Sequence, residues 1–513
     1  MTQGPTSPDT PPASSSPTRL SGPWTLLRGT IWNQFGQVLP LLAALALIPQ
    51  LIHSLGVDRF GILSLAWMLI GYFTLFDLGV SGALTRLVAE RLAAHRDDEI
   101  PALVWTALAL TTAMGVVGAA LVAAAAPWLV EEALRVPPGL RVETLQLTWV
   151  LAGSLPIVTG TAALAGVLAA QQRFGVLNAI RVPMGILTYV APLVALSFGT
   201  TLFYVGLALA AVRVLGGGAH LVACLAGTPG LAGGIRLRRG QVRPILGFGG
   251  WMTVTAVISP LMVYLDRFLI GGMLSLAMVA YYTTPYDLTQ RFAILSMPVV
   301  NVMFPAFAAS YDADRARAAR LYDWSVRGIA MLLFPVVVIT VLFAPELLGL
   351  WLGTDFAVHS STVLRLLALG MLLNGMAMIA LSFVQSTGRP DLGARLHVFE
   401  LPIYLLALWW LIGWLGIVGA ALAWLLRVAV DAAALFTMAH RRIGAGSNGA
   451  RTALLVGGGG VLLIAAGTVL PGLAWRAGYA AGLLAIFGLV AWRTVVVPGH
   501  RALLEAREVR TSR

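Results

Sequence analysis

Residues 101–126 read PALVWTALALTTAMGVVGAALVAAAA and contain no charged side chain. An α-helix rises about 1.5 Å per residue, so about 20 such residues cross a hydrocarbon core about 30 Å thick. Similar stretches recur along the 513-residue chain, which is 58% hydrophobic and 11% charged, with a mean hydropathy of +0.85. A soluble domain carries about 25% charged residues. The sequence therefore predicts an all-α polytopic membrane protein.

The apolar stretches predict about 14 transmembrane helices, grouped as six, a connector, six more and a final pair. The predicted spans are 32–52, 61–84, 101–126, 145–170, 177–199, 202–226, 245–272, 277–306, 325–352, 361–386, 397–414, 416–439, 451–472 and 474–495. Many transporters are built from internal repeats, so this grouping predicts two six-helix lobes. The predicted divisions are a disordered N-terminal tail at 1–21, an N-lobe at 22–226, a cytoplasmic connector at 227–244, a C-lobe at 245–440, a terminal helix pair at 441–495 and a cytoplasmic tail at 496–513.

The positions of the arginines predict the orientation of the chain. All 34 basic residues are arginine, and the cytoplasmic loops of membrane proteins are enriched in basic residues. With fourteen spans and a cytoplasmic N-terminus, 25 arginines lie on the cytoplasmic side, and only Arg59, Arg135, Arg141 and Arg476 lie outside. One missing or extra span would invert every later loop and remove this asymmetry. The sequence thus predicts a multi-pass protein of a bacterial inner membrane with both termini inside.

No catalytic or metal centre is predicted. Cys224 is the single cysteine and lies in an apolar run, so a disulfide framework or a Cys/His metal set is not expected. Residues 444–449 match GxGxxG but follow a helix, whereas a nucleotide-binding loop follows a strand. The longest outside loop, Pro127–Thr144, is short, and no pair of spans carries the Asp/Glu/His array of a membrane metalloenzyme. We expect a transporter without a cofactor, not an enzyme, and the dispersed arginines argue against nucleic-acid binding.

Several short motifs occur in the order found in a known transporter family. They are Gly29–Gln37, Leu55–Gly61, Tyr72 with Asp77-Leu78-Gly79 and Arg86, Tyr264–Gly271, Ala280–Tyr282, Val302–Pro305, Thr387–Arg389 and Gly413–Ala421. Over residues 25–440 the chain resembles the polysaccharide transporter branch of the multidrug/oligosaccharidyl-lipid/polysaccharide exporter superfamily, the Wzx-type oligosaccharide flippases. The resemblance implies two lobes around a cavity lined by the first, second, seventh and eighth helices. It also implies a polyprenyl-pyrophosphate-linked oligosaccharide as the substrate.

Five arginines fall within predicted spans: Arg213, Arg267, Arg291, Arg365 and Arg427. An arginine at the middle of a bilayer costs about 2.5–3.5 kcal/mol even on the translocon scale, so each needs a partner or a function. Arg267 and Arg365 lie near predicted outer helix ends, from which a long side chain can reach the interface. The other three lie near the middle of their spans.

Two of these deep arginines have an acid one helical turn away. Such i, i+4 pairs can neutralise each other on one helix face. We expect Arg427 and Asp431 to form a structural pair. We expect Asp287 and Arg291 to form part of the substrate site, because the resemblance places their helix at the cavity.

Further polar residues complete the candidate site. Arg213 has no acid three or four residues away, so it either pairs with Asp77 or meets an anion. Asp266 adjoins Arg267 but need not pair with it, because neighbours on a helix point about 100° apart. Asn33 belongs to a polar face of the first helix. This face is explained equally well by hydrogen bonds between helices and by contact with a sugar. The candidate substrate-binding residues are Arg291, Asp287, Arg267, Asp266, Asp77, Arg213 and Asn33.

The leading hypothesis for the function is a lipid-linked oligosaccharide flippase, because guanidinium groups bind phosphate oxygens well. The alternatives are a drug/cation antiporter of the same superfamily, a peptidoglycan-precursor flippase and, from a different class, a membrane glycan polymerase or ligase. The expected partners are the lipid-linked substrate, membrane lipids, and a polysaccharide polymerase and chain-length regulator.

Overall fold

The computed structural model describes residues 23–72, 79–242, 265–311, 313–444 and 449–493, with side chains described from Leu39 onward. In these ranges the chain is helical apart from short turns and contains no β-strand. The helices of the first half are α1 (Pro23–Leu55), α2 (Val57–Tyr72), α3 (Val80–Ala93), α4 (Ile100–Trp128), α5 (Pro138–Ala170), α6 (Phe174–Ala195) and α7 (Leu202–Gly227).

The second half continues the same pattern. Its helices are α8 (265–273), α9 (Leu276–Gln290), α10 (Ala293–Tyr311), α11 (Arg315–Leu342), α12 (Ala344–Leu352), α13 (Thr354–Ser386), α14 (Pro390–Leu415) and α15 (Ile417–Ile443). The terminal pair is α16 (449–467), whose middle, Ala453–Gly459, is π-helical, and α17 (Leu473–Ala491).

Ten of the described helices are long and apolar enough to cross a membrane. They are α4, α5, α6, α7, α10, α11, α13, α14, α15 and α17. Two shorter apolar segments, Leu39–Leu55 and Ala453–Gly467, accompany them. The chain is therefore an all-helical, multi-pass membrane protein, which confirms the predicted class. The total of fourteen spans and the orientation stay predictions.

Two predicted spans are each divided in the structure. The predicted span 277–306 consists of α9 and α10, which separate at Arg291–Phe292. The prediction of one span at 325–352 is wrong, because α11 ends at Leu342 and the nine-residue α12 follows it. Pro345 explains this end: it has no backbone N–H to continue the hydrogen-bond ladder of α11.

The helices pack as two bundles, which we call the first bundle (α1–α7) and the second bundle (α8–α15). In the first bundle, α5 packs against α3, α4 and α7, and α6 packs against α1 and α7. In the second, α13 packs against α9, α10, α11, α12 and α15. The terminal pair packs mainly against α11, so it lies beside the second bundle.

Small residues allow α13 to occupy the centre of the second bundle. Close packing, rather than the hydrophobic effect, drives helix association in lipid, and glycine permits the closest approach. Gly370 lies against the indole ring of Trp424 on α15, and Gly375 lies against Leu333 on α11. A Cβ atom at either glycine would overlap the neighbouring side chain.

The two bundles meet tightly where α2 and α9 begin, and we call this end of the molecule the closed end. A Cβ atom at Gly61 would overlap the backbone carbonyl of Leu276. Trp351 of α12 donates a hydrogen bond from Nε1 to the carbonyl oxygen of Leu45 on α1, at 2.7 Å. Pro49 explains why this oxygen is available, because a proline has no N–H to bond the carbonyl four residues earlier. The closed end corresponds to the predicted outer side.

Candidate functional site

A pocket between the two bundles contains the polar residues most suited to a substrate, and we call it the interbundle pocket. The first bundle contributes residues of α1, α2 and α6, and the second contributes residues of α9 and α12 together with the α9–α10 break. The polar and aromatic lining residues are Ser64, Trp67, Tyr189, Thr283, Thr284, Asp287, Arg291 and Trp351. Of the predicted site residues, this pocket brings together Asp287 and Arg291.

Arg291 lies at the break between α9 and α10 and faces the first bundle. Its Nη2 donates to the hydroxyl of Tyr189 on α6 at 3.4 Å. Among the described residues it forms no ion pair. The Tyr189 ring packs edge-on against Trp67 of α2, with the ring centres 5.2 Å apart. Arg291 therefore places beside two aromatic rings a guanidinium that has no ion-pair partner in the part of the chain that the structure describes.

Asp287 pairs with Arg267 rather than with Arg291, so the predicted i, i+4 pair is wrong. Arg267 Nη2 donates to Asp287 Oδ1 at 2.8 Å, and its guanidinium lies 4.6 Å from the centre of the Tyr286 ring. The Arg267 side chain is only 4% exposed, whereas that of Asp287 is 46% exposed. The expectation that Arg267 reaches the membrane interface is therefore also wrong. A buried guanidinium needs a nearby carboxylate, and α9 supplies one from the next helix.

Asp266 is buried in the second bundle behind this pair. Its carboxylate accepts hydrogen bonds from the Tyr282 hydroxyl at 2.6 Å and from the backbone N–H of Arg267 at 2.8 Å. Both contacts lie away from the interbundle pocket, whose lining does not include Asp266. Asp266 thus fixes the junction of α8 and α9.

The remaining predicted residues lie elsewhere. Arg213 of α7 forms no ion pair or hydrogen bond with a described residue, and its Nε is buried. Asp77 and the side chain of Asn33 lie outside the described residues, so the roles suggested for these three residues stay predictions. Arg365 donates from Nε to the carbonyl oxygen of Val341 at 3.2 Å. This bond gives a donor to a carbonyl in the last turn of α11.

The predicted pair of Arg427 and Asp431 is also replaced by contacts between helices. Asp431 Oδ1 lies 3.5 Å from His397 Nε2 of α14, and the Arg427 guanidinium lies 5.4 Å from the centre of the Tyr404 ring. With Glu400, these residues bring His397 and two acids together on α14 and α15. The expectation that no pair of spans carries an Asp/Glu/His array is therefore wrong. It failed because the three residues come from two helices and share no sequence motif.

Sequence reasoning missed Trp67, Tyr189 and Trp351. Trp67 and Tyr189 lie within apolar runs, where an aromatic residue gives no sign of the side it faces. One signal for Trp351 was available in the sequence. Pro49 has no backbone N–H, so it leaves the Leu45 carbonyl of α1 without its helical donor, and Trp351 supplies a donor to that oxygen.

The chain is similar to proteins of polysaccharide biosynthesis and to a named transporter. Residues 54–361 match the family model described as "Polysaccharide biosynthesis protein". A Shigella flexneri protein named "Putative O-antigen transporter" is 27% identical over 412 residues, which cover 80% of this chain and 96% of that protein.

Solved structures share the fold at low sequence identity. An inward-facing multidrug resistance MATE family transporter of the MOP superfamily has a TM-score of 0.67 at 16% identity, covering 81% of this chain and 98% of that one. The lipid II flippase MurJ in an inward closed conformation has a TM-score of 0.68 at 11% identity, covering 92% of this chain and 100% of that one.

The family model and the Shigella flexneri relative confirm the resemblance to polysaccharide transporters. The matched segment contains more than half of the chain, including α2–α7, the α9–α10 break and α12. The chain therefore belongs to this family of polysaccharide biosynthesis proteins.

Proposed function

We propose that this protein is a flippase that moves a polyprenyl-pyrophosphate-linked oligosaccharide across a bacterial inner membrane for surface polysaccharide assembly. The family and the similarity to a protein named as an O-antigen transporter support this substrate class. In the proposed mechanism, the moving units are the predicted lobes at 22–226 and 245–440, which correspond to the first and second bundles. The lobes rock and expose the interbundle pocket to each side of the membrane in turn.

The single observation that carries the proposal is the environment of Arg291. The other basic side chain near the pocket, Arg267, is neutralised by Asp287, whereas Arg291 has only the neutral Tyr189 hydroxyl as a described partner. In a low-dielectric cavity a free guanidinium attracts anions, and its planar fork matches phosphate oxygens. We therefore assign pyrophosphate binding to Arg291.

The neighbouring aromatic and hydroxyl groups suit the sugar part of the substrate. Trp67 and Tyr189 contribute aromatic rings to the lining of the pocket, and Thr283 and Ser64 add hydroxyls. The Trp67 Nε1 and the Thr283 hydroxyl are buried and lack a partner among the described residues. Buried polar groups without partners are costly, so sugar hydroxyls that bonded them would be favoured.

The drug/cation antiporter fits this pocket less well than the flippase does. A cation or drug antiporter needs an unpaired carboxylate in the pocket, but the carboxylate of Asp287 is bonded to Arg267. A peptidoglycan-precursor flippase would differ in the glycan and not in the anion site.

We further propose fourteen spans with both termini in the cytoplasm, and cooperation with a polysaccharide polymerase and a chain-length regulator.

The test replaces Arg291 in cells deleted for this gene. Arg291→Ala should lower transport about 10–100-fold, the loss expected when a charge-assisted hydrogen bond of about 1.5–3 kcal/mol disappears. Arg291→Lys should retain part of the function, because it keeps the charge but loses the fork. The readouts are surface glycan, lipid-linked oligosaccharide accumulated inside, and membrane abundance.

Arg395→Ala is the matched control. Its side chain is 72% exposed at the start of α14, so this variant should display normal glycan. Normal glycan display by an abundant Arg291→Ala protein would exclude Arg291 from the substrate site and contradict the proposal.

A further inference from the structure

A second polar site lies inside the second bundle, between α14 and α15 and apart from the interbundle pocket. It consists of His397, Glu400 and Asp431. One ring nitrogen of His397 and one carboxylate oxygen of each acid all lie within 4.8 Å of one another. Glu400 is 7% exposed and Asp431 is 8% exposed. The His397 side chain is 33% exposed and lies two residues after the exposed Arg395. The cluster thus has a buried acidic part and a more accessible imidazole.

The carboxylates of this cluster lack hydrogen-bond donors. Both oxygens of Glu400 and Oδ1 of Asp431 are buried and accept no hydrogen bond from a described residue. His397 Nε2 lies 3.5 Å from Asp431 Oδ1, which is longer than a good hydrogen bond. Two ionised carboxylates placed this close inside a membrane would repel each other and lose their hydration. At least one positive charge must enter the cluster.

The surrounding charges favour a single positive charge. The charged groups that act on Glu400 are Asp431, Arg427 and His397, and the neutral Tyr404 packs beside Arg427. With a neutral imidazole, two carboxylates and one guanidinium sum to one negative charge. One proton makes the cluster neutral, whereas a divalent ion leaves it positive. Sodium is a hard cation that prefers oxygen ligands, so it would make poor use of the imidazole.

We propose that His397, Glu400 and Asp431 form a proton-binding site in which Glu400 and Asp431 share one proton that enters and leaves through His397. Loss of this proton adds a negative charge one helical turn from Arg427. This charge then competes with the Tyr404 ring for the Arg427 guanidinium. Protonation therefore changes the contact between α14 and α15. A further consequence rests on the proposed flippase function: the site links proton binding to movement of the second bundle.

The test is pH-difference infrared spectroscopy of the purified full-length protein in light and heavy water. The parent protein should show a protonated-carboxyl C=O band that disappears at high pH and shifts in heavy water. Glu400→Gln and Asp431→Asn should each lose this band. His397→Asn, at a partly exposed position where misfolding is less of a concern, should keep the band but change the pH at which it titrates.

Glu143→Gln is the matched control. Glu143 is equally buried, at 7% exposure, but accepts hydrogen bonds from Arg59 Nε at 2.9 Å and from the Leu202 N–H at 3.0 Å. Glu143 lies outside the proposed proton site, so the band should persist in this variant. An unchanged band in both Glu400→Gln and Asp431→Asn would overturn the proposal. A stoichiometric divalent metal that His397→Asn removes would overturn it too. Neither result depends on oligosaccharide transport, so the proton site can fail while the flippase function stands, and the reverse.

Discussion

At the scale of single residues, Arg267 and Arg291 show how a partner decides the role of a membrane-embedded charge. Arg267 is buried and bonded to Asp287, so its charge holds α8 and α9 together. Arg291 follows Asp287 by one turn yet bonds a tyrosine of the opposite bundle. Of the two, we propose only Arg291 as a substrate-binding residue.

Asp287→Asn should destabilise the protein, because it leaves the buried Arg267 guanidinium without its carboxylate. Breaking a fully buried pair costs about 3–5 kcal/mol, and since Asp287 is half-exposed we expect about 1–3 kcal/mol. The measurements are membrane abundance and the thermal unfolding midpoint of the purified protein. Arg267→Leu combined with Asp287→Leu should recover most of the loss.

Asp391→Asn is the control for this prediction, because it breaks an exposed pair with Arg389 and should leave the unfolding midpoint unchanged. If Asp287→Asn unfolded at the parent temperature and lost only transport, Asp287 would be a substrate contact and not a structural partner.

At the scale of helices, two prolines determine which elements are tied together near the closed end. Pro49 in α1 and Pro285 in α9 each leave the carbonyl four residues earlier without its helical donor. Trp351 donates to the first of these oxygens, and Ser360 of α13 donates to the carbonyl of Tyr281 at 2.7 Å. The segment α12–α13 therefore holds both α1 and α9.

Trp351→Phe should weaken closure at this end, because it leaves the Leu45 carbonyl without a donor. A net hydrogen bond is worth about 1–1.5 kcal/mol, so opening should become about five- to tenfold more frequent. The reporter is a cysteine at the buried Ala44, with Cys224 replaced by alanine, labelled from outside by a membrane-impermeant thiol reagent. Trp414→Phe is the control, since Trp414 is 73% exposed. Equal labelling rates in the Trp351→Phe and Trp414→Phe variants would contradict a role of the Trp351–Leu45 hydrogen bond in closure.

The sequence predicts the helices of this protein better than it predicts their contacts. Length and hydropathy suffice for α4, α5 or α13, because lipid demands about 20 apolar residues for each crossing. They do not report which face of a helix meets a neighbour. The i, i+4 rule therefore proposed Asp287–Arg291, whereas the closer partner, Arg267, comes from another helix. His397 and Asp431 were missed for the same reason, since they lie on different helices.

At the scale of the whole molecule, the structure is closed at one end, and the arginine distribution predicts that this end faces outward. Arg59 and Arg141, two of the four arginines predicted outside, lie near the starts of α2 and α5. The opposite end carries the exposed basic residues Arg236, Arg238 and Arg395.

Single cysteines test this orientation. With Cys224 replaced, cysteines at Ser7 and Thr511 should be shielded from an impermeant thiol reagent in intact cells, and one at Gly139 should be labelled. Gly139 is exposed and has room for a side chain, so the substitution should not disturb the fold. The same three cysteines in opened cells give the control for reactivity. Labelling of either terminus in sealed cells would reverse the proposed orientation.

The ion pair between the terminal helices and α12 has a consequence for regulation. Arg476 of α17 bonds both carboxylate oxygens of Glu346, at 2.5 and 3.1 Å, and the carbonyl of Leu342 at 3.0 Å. Because α12 also carries Trp351, we expect a displacement of α17 to alter the hydrogen bond between Trp351 and Leu45 that joins the two bundles. A neighbouring membrane protein that bound α17 would thereby exert allosteric control over opening, by favouring one state without touching the substrate.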